Sequence, residues 1–115
     1  MKKEDAPSLV SIIIPCYNYV QYIEKCIQSA LDQTYKNIEV LVVDNGSTDG
    51  SLEKINLFSN HKKVKIIKFK ENIPPGSKKR SAIGIAINQS SGDYISILYA
   101  DDWYLKDKIK KQIDL

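Results

Sequence analysis

Apolar residues fall into four compact runs, separated by stretches in which they recur every three or four positions. The runs are "LVSIIIP" (9–15), "IEVLVVD" (38–44), "VKIIKF" (64–69) and "DYISILY" (93–99), all of strand length and rich in β-branched side chains. The second is almost unbroken, which predicts a strand buried on both faces. The third carries lysines among its apolar residues and suits a sheet edge. Between the runs, Val20, Ile23, Ile27, Ala30 and Leu31 keep helical spacing, with Gln21, Glu24, Lys25 and Gln28 on the opposite side. Asn18 is a candidate N-cap for that helix, with Gln21 placed to reach back to it. Ser47 or Thr48 would cap a second helix bearing Leu52, Ile55 and Phe58. "PPG" (74–76) interrupts regular structure, and Ser77 would cap a third helix through Ala82, Ile83 and Ala86 to Gln89. Leu105, Ile109 and Ile113 mark a fourth.

Strands alternating with helices imply right-handed crossovers and a mainly parallel sheet covered on both faces, a three-layer α/β/α fold. No repeat or low-complexity linker divides the chain. The last helix stops at Leu115 with no strand after it, so residues 1–115 read as part of a larger domain. An open sheet edge and an uncovered final helix would then favour self-association.

Composition changes this picture little. A chain of 115 residues, 43% apolar and 27% charged, is ordinary for one small soluble unit. The net charge of +3 is mild, and the lysines at 62–70 and 106–111 read as solvated faces, with no nucleic-acid role; attraction to anionic membrane or phosphate is the weaker alternative. No apolar run is long enough to span a bilayer, and "MKKEDAPS" is followed by no signal-peptide core. Cys16 and Cys26, one closing a strand and one on a helix, read as buried thiols in a reducing compartment. His61, alone among lysines, reads as a surface residue.

The candidate chemistry lies where the strands end. In open parallel sheets, ligands bind beyond the carboxyl ends of the strands, near a switch in strand order. Here those ends carry "PCYN" (15–18), "DNGSTDG" (44–50), "KENIPPGS" (70–77) and "YADDW" (99–103). No GxxxxGK[ST] or GxGxxG phosphate loop occurs. Tyr17, beside Asn18, offers an aromatic face to a base, and Asp44 and Asn45 offer hydrogen bonds to a base edge. Asp101 and Asp102 are adjacent carboxylates at the end of a buried run, where their repulsion needs relief from a divalent cation, from hydrogen-bond donors or from water. Mg²⁺ or Mn²⁺ prefers such oxygen ligands and often bridges to phosphates, so the set suggests a nucleotide-diphosphate ligand. The plainer alternative is that Asp44 and Ser47 cap one helix and Asp101–Asp102 start another.

These motifs resemble family 2 glycosyltransferases of the GT-A fold. "VSIIIPCYNYVQYIEKCIQSALDQTYKNIEVLVVDNGSTDGSLEKI" is similar to the opening of that family, and "SGDYISILYADDWYLKDKI" to its strand, acidic metal motif and following helix. The resemblance implies a Rossmann-like nucleotide-binding half with strand order 3-2-1-4. It also implies inverting transfer of a sugar from a nucleotide diphosphate, most often UDP, to an acceptor hydroxyl. Pro15, Tyr17 and Asn18 would line the nucleotide pocket, Asp44 and Asn45 would sit by base and ribose, and Asp101 and Asp102 would serve ribose–diphosphate and metal. By the same resemblance, the general base and acceptor surface would come from beyond residue 115, leaving this part unable to catalyse alone. The usual setting would be polysaccharide or glycolipid assembly in the cytoplasm at the inner membrane face, with a glycan or lipid-linked acceptor.

Three positions depart from the family pattern. Asn45 stands where an Asp usually accepts from uracil N3–H; its amide oxygen still accepts and its NH₂ adds a donor. Tyr99 replaces the first Asp of the metal motif, leaving one fewer negative charge. The usual Arg of the third helix aligns with Ile83, and Arg80, three residues earlier on the same helical face, is the candidate substitute. Asn45 and Tyr99 favour the main alternative, a non-catalytic nucleotide-binding or interaction module on the same fold. A receiver-like signalling domain is disfavoured because no acidic pair follows the first strand, and a sugar-nucleotide pyrophosphorylase because "PCYNYVQY" lacks glycine.

Overall fold

The computed structural model describes residues 7–74 and 81–114. Four strands, β1 (Val10–Cys16), β2 (Ile38–Asn45), β3 (Val64–Phe69) and β4 (Tyr94–Ile97), alternate with helices α1 (Ile23–Leu31), α2 (Ser51–Asn56), α3 (Ala82–Gln89) and α4 (Lys108–Ile113). The strands form one parallel sheet in the order β3-β2-β1-β4, the order the resemblance implies.

Side chains alternate across the sheet, so neighbouring residues of one strand belong to different cores. Ile12, Ile14, Val40 and Val42 meet Ile23, Ile27 and Ala30 of α1, Ile55 of α2 and Ile109 of α4 on one face. Ile13, Leu41 and Val43 meet Ala82 and Ala86 of α3 on the other. Two-sided burial explains the unbroken apolar run of β2, and each of its buried branched side chains stabilises the fold by roughly 1.5–3 kcal/mol. β3 is an edge strand, with Lys65 and Lys68 exposed on it.

β4 is shorter than the sequence suggests, and Pro15 explains why. The β1–β4 register ends at Ile13↔Ile97, with one further bond from Leu98 N to Ile13 O (2.9 Å). The next bond of a parallel ladder would need an N–H from residue 15, and proline has none. The two strands part there while β1 stays paired with β2 to Cys16↔Asp44. A crevice therefore opens between β1 and the segment after β4, at the point where strand order reverses.

The expected helix caps are largely replaced. Asn18 has φ 60° and its Oδ1 accepts from Thr48 N (2.8 Å), so it is committed elsewhere when α1 starts after Tyr22. Ser47 is likewise engaged, accepting from Asn18 N (3.0 Å), and α2 is entered through Gly50 at φ 97°. Ser81 caps α3 by accepting from Gly84 N (2.9 Å), whereas Ser77 lies outside the described residues. Leu105 is 77% exposed and precedes α4, whose buried residue is Ile109.

Cys16 and Cys26 are free and buried, as expected. Burial pushes the Cys16 thiol up and that of Cys26 up to about 12, with the neighbouring charges of Cys16, Asp102 and Asp101 adding to the latter. Because the thiolate is the reactive form, neither should react with a thiol reagent at pH 8 until the chain unfolds. Timed labelling with an aromatic disulfide should show no fast phase in the native protein; a stoichiometric fast phase would contradict this burial.

Candidate functional site

Three connected loops build the carboxyl rim of the sheet. The segment after β1 is stitched to the turn before α2 by four hydrogen bonds. Asn18 N donates to Ser47 Oγ (3.0 Å), Tyr19 N to Ser51 Oγ (3.0 Å), Val20 N to Asp49 Oδ2 (3.1 Å), and Thr48 N to Asn18 Oδ1 (2.8 Å). Asp49 loses a little hydration there. Hydrogen bonds from the Ser51 hydroxyl and the Val20 and Ser51 amides outweigh that loss and hold its carboxyl below the usual range.

Pro15, Tyr17 and Tyr19 from this stitched loop face Asn45, the 72–74 segment, the start of α3 and Tyr99 across a cleft of about 530 Å³. Tyr17, Tyr19 and Tyr99 are 44%, 38% and 59% exposed, so large aromatic faces are presented to solvent at its mouth. Ile83, the position aligned with the family's arginine, also lines it. Arg80 lies outside the described residues.

Asp44 sits at the end of β2, level with Cys16 and 1% exposed. Its Oδ2 accepts from Ser47 N at 3.4 Å, a long contact, and its Oδ1 is buried with no hydrogen-bond partner among the described residues. A buried acceptor without a donor costs roughly 1–3 kcal/mol, more when charged, so such a group calls for an explanation.

Asp101 and Asp102 follow a small anchor. Tyr99 is exposed, Ala100 is 1% exposed, and both carboxylates return to solvent. Cys26 Sγ lies 3.6 Å from Tyr99 O beneath this turn, and Asp102 N donates to Tyr99 O (2.9 Å). Asp102 Oδ1 accepts from Trp103 N (2.8 Å), whereas Asp101 has no partner among the described residues. Exposure to water is thus what relieves the repulsion of the free pair. Neither carboxylate lines the 530 Å³ cleft; Asp102 borders a neighbouring one of about 520 Å³ along the Trp103–Lys108 segment.

This donor set fits a hard divalent cation held only in part by protein. Among the described residues no three Asp, Glu, His or Cys side chains gather at one point, so the Asp101–Asp102 pair would hold a cation without a third such side chain. Mg²⁺ and Mn²⁺ sites of that kind are completed by substrate phosphates and water.

Side chains that the sequence reading passed over hold the carboxylate segment in place. Gln33 is fully buried; its Nε2 donates to Leu105 O (2.7 Å) and Ser29 O (3.2 Å), and its Oε1 accepts from Ile109 N (3.0 Å). Tyr104 N donates to Ser29 Oγ (3.0 Å) and its hydroxyl to Ile97 O (3.0 Å). Lys25 Nζ lies 3.7 Å from the Trp103 ring centroid, a cation–π contact. The signal for Gln33 was present: it continues the Ile23, Ile27, Ala30 spacing and so falls on the buried face.

A family model described as Glycosyl transferase family 2 matches residues 11–115. The chain belongs to glycosyltransferase family 2. Its relatives include an uncharacterized glycosyltransferase of Haemophilus influenzae, 39% identical over 107 residues, a match covering 92% of this chain and 41% of that protein. A chondroitin synthase of Pasteurella multocida is 40% identical over 103 residues, covering 89% of this chain and 10% of the synthase. Among solved structures, S. aureus TarS in complex with UDP superposes with a TM-score of 0.78 at 28% identity, covering 91% of this chain and 31% of TarS. The mannosyltransferase PcManGT from Pyrobaculum calidifontis, in complex with GDP-Man and Mn2+, gives 0.73 at 25% identity, covering 87% and 29%. This family 2 chain thus spans well under half the length of each of these relatives. Among the described residues, no helix is long and apolar enough to cross a membrane.

Proposed function

We propose that the chain forms the donor-binding half of an inverting glycosyltransferase that takes a sugar from a nucleotide diphosphate, UDP in this reading, with a bound Mn²⁺ or Mg²⁺. The observation that carries this reading is the buried Oδ1 of Asp44, unpartnered among the described residues, at the carboxyl end of β2 between Cys16 and Asn45, which both line the cleft. An N–H donor from the ligand satisfies that oxygen. Uracil N3–H and guanine N1–H are such donors at the centre of the base edge, where adenine and cytosine have ring-nitrogen acceptors and donate only through an exocyclic amine to one side. Support comes also from the bound ligands of the neighbours, UDP and UDP-GlcNAc in TarS and GDP-Man with Mn2+ in PcManGT.

In this reading Tyr17 stacks on or flanks the base, and Pro15 keeps the crevice open by ending the β1–β4 ladder. Asn18 works at one remove, by holding the Tyr17 loop against Thr48. Asp101 addresses the ribose–diphosphate and, with Asp102, the cation; Arg80 is retained as the candidate phosphate partner. When bound, the cation neutralises the diphosphate and so stabilises it as a leaving group. The acceptor in this reading is a glycan or lipid-linked hydroxyl at the cytoplasmic face of a membrane. The Pasteurella relatives named chondroitin synthase and hyaluronan synthase support a polysaccharide setting.

Calorimetric titration of the chain with UDP, GDP, CDP and ADP, each with and without Mn²⁺, tests the donor site. UDP or GDP should bind in a Mn²⁺-dependent manner, and CDP and ADP at least tenfold more weakly, the discrimination of one buried hydrogen bond of about 1.4 kcal/mol. Equal affinity for all four would remove the base-reading role of Asp44. Binding of none would sink the proposal for this chain.

A further inference from the structure

The side chain of Asn45 is engaged by the chain itself through both its oxygen and its nitrogen. Its Oδ1 accepts from Ile73 N (2.8 Å), and its Nδ2 donates to Ile73 O (3.1 Å). The loop answers in kind, with Asn72 Nδ2 donating to Asn45 O (3.1 Å). Gly46 makes the approach possible: at φ 74°, a Cβ there would stand 2.5 Å from Asn72 N and 2.7 Å from Glu71 C. The β2–β3 register ends at Asn45↔Phe69, so these bonds continue the pairing of the two strands beyond their ends by means of a side chain. This takes a group that both donates and accepts, as an amide does at any pH. A carboxylate accepts from the Ile73 N–H but directs a second, charged acceptor at the Ile73 carbonyl.

We propose that Asn45 is a positioning residue: its amide latches the backbone of Ile73 and so fixes the 72–74 segment as one wall of the nucleotide cleft. Nucleotide affinity then depends on Asn45 through the loop and not through contact with the base. The inference rests on the donor-site reading only for its nucleotide half; the latch itself is a property of the free chain. It also accounts for the departure from the family's Asp at this position, since a latched amide leaves base recognition to Asp44.

The two roles predict opposite effects of Asn45→Asp. If Asn45 read the base directly, a carboxylate would accept from a base N–H at least as well, and UDP affinity at neutral pH would hold or rise. With a latch, the ionised carboxylate opens the loop and affinity falls. The protonated acid can both donate to Ile73 O and accept from Ile73 N, so the latched state raises the pKa of the introduced group. Its latch is therefore present at low pH and lost as pH rises through that raised value. Asp44 and Glu71 raise that value further, and Lys68 and Lys70 oppose them.

Hydrogen exchange of the Ile73 amide, read by NMR in the free chain and expressed as a protection factor, tests the latch without any nucleotide. Wild type should hold its protection across pH 4.5–8, Asn45→Ala should lose about tenfold throughout, and Asn45→Asp should lose as much at pH 7 and recover below about pH 5. UDP affinity of Asn45→Asp relative to wild type, in Mn²⁺, should follow the same curve. Unchanged Ile73 protection in both variants would overturn the latch. Lost protection with undiminished UDP affinity would overturn its role in the cleft. Failure of the wild type to bind UDP would count against the donor-site reading, while the protection factors would still decide the latch.

Discussion

Replacing Asp101 and Asp102 together by asparagine is expected to lower UDP affinity in Mn²⁺ by on the order of a hundredfold, about 3 kcal/mol, without destabilising the fold. Both side chains are exposed, and asparagine at 102 keeps an oxygen for the Trp103 N–H, so the turn itself should persist. Removing two negative charges from adjacent positions also relieves repulsion in the free protein. What is lost is the anionic oxygen set that a hard cation and a diphosphate would share. Thermal unfolding should therefore show an unchanged or slightly raised Tm, while calorimetry in Mn²⁺ shows weak UDP binding. Full retention of Mn²⁺-dependent affinity would move the metal site away from this pair. Among the described residues no third Asp, Glu, His or Cys joins this pair to take over.

The second large effect is on stability. Gln33→Leu should cost about 2 kcal/mol, although leucine fills much of the same volume and is better suited to burial. The buried amide joins α1 to the segment behind the carboxylates: it accepts from Ile109 N at the start of α4 and donates to Leu105 O and Ser29 O. Leucine leaves the Ile109 N–H without a partner, at roughly 1–3 kcal/mol, and takes one of two donors from the Leu105 carbonyl, which keeps Lys108 N (3.1 Å); transfer of the leucine side chain recovers part of this. Urea denaturation should show the shift in midpoint. Amide exchange should show it concentrated in α4 and residues 104–107, because Thr34 and Tyr104 tie the same segment to α1 and β4. A loss below about 0.5 kcal/mol, within the range of ordinary surface changes, would show that the segment is held chiefly by apolar contact of Ile109.

Much of the fold was legible because burial periodicity is a local property of the chain. The β2 run had to be covered on both faces, the β3 lysines had to lie at an edge, and the alternation of elements required parallel pairing. Strand order itself came from family resemblance, not periodicity. Helix starts were misjudged because capping residues are chosen by competition. Asn18 and Ser47 are good caps in isolation, yet each found a partner in the facing loop, and the residues that stand at the N-caps of α1 and α2, Tyr22 and Gly50, make no side-chain cap.

The candidate site divides in the same way. The sequence by itself determined which residue types gather at the carboxyl rim, since each follows directly on a strand and parallel strands all end on one side. It also determined, through the missing N–H of Pro15, where the sheet opens. Tertiary structure alone decided how those side chains are spent. Asp44 is left with an unpartnered buried oxygen, Asn45 is consumed by the Ile73 backbone, and Asp101 and Asp102 stand in water. A hydrogen bond is settled by which groups from distant segments arrive within 3 Å of one another, and spacing along the chain carries no record of that until the loops have met.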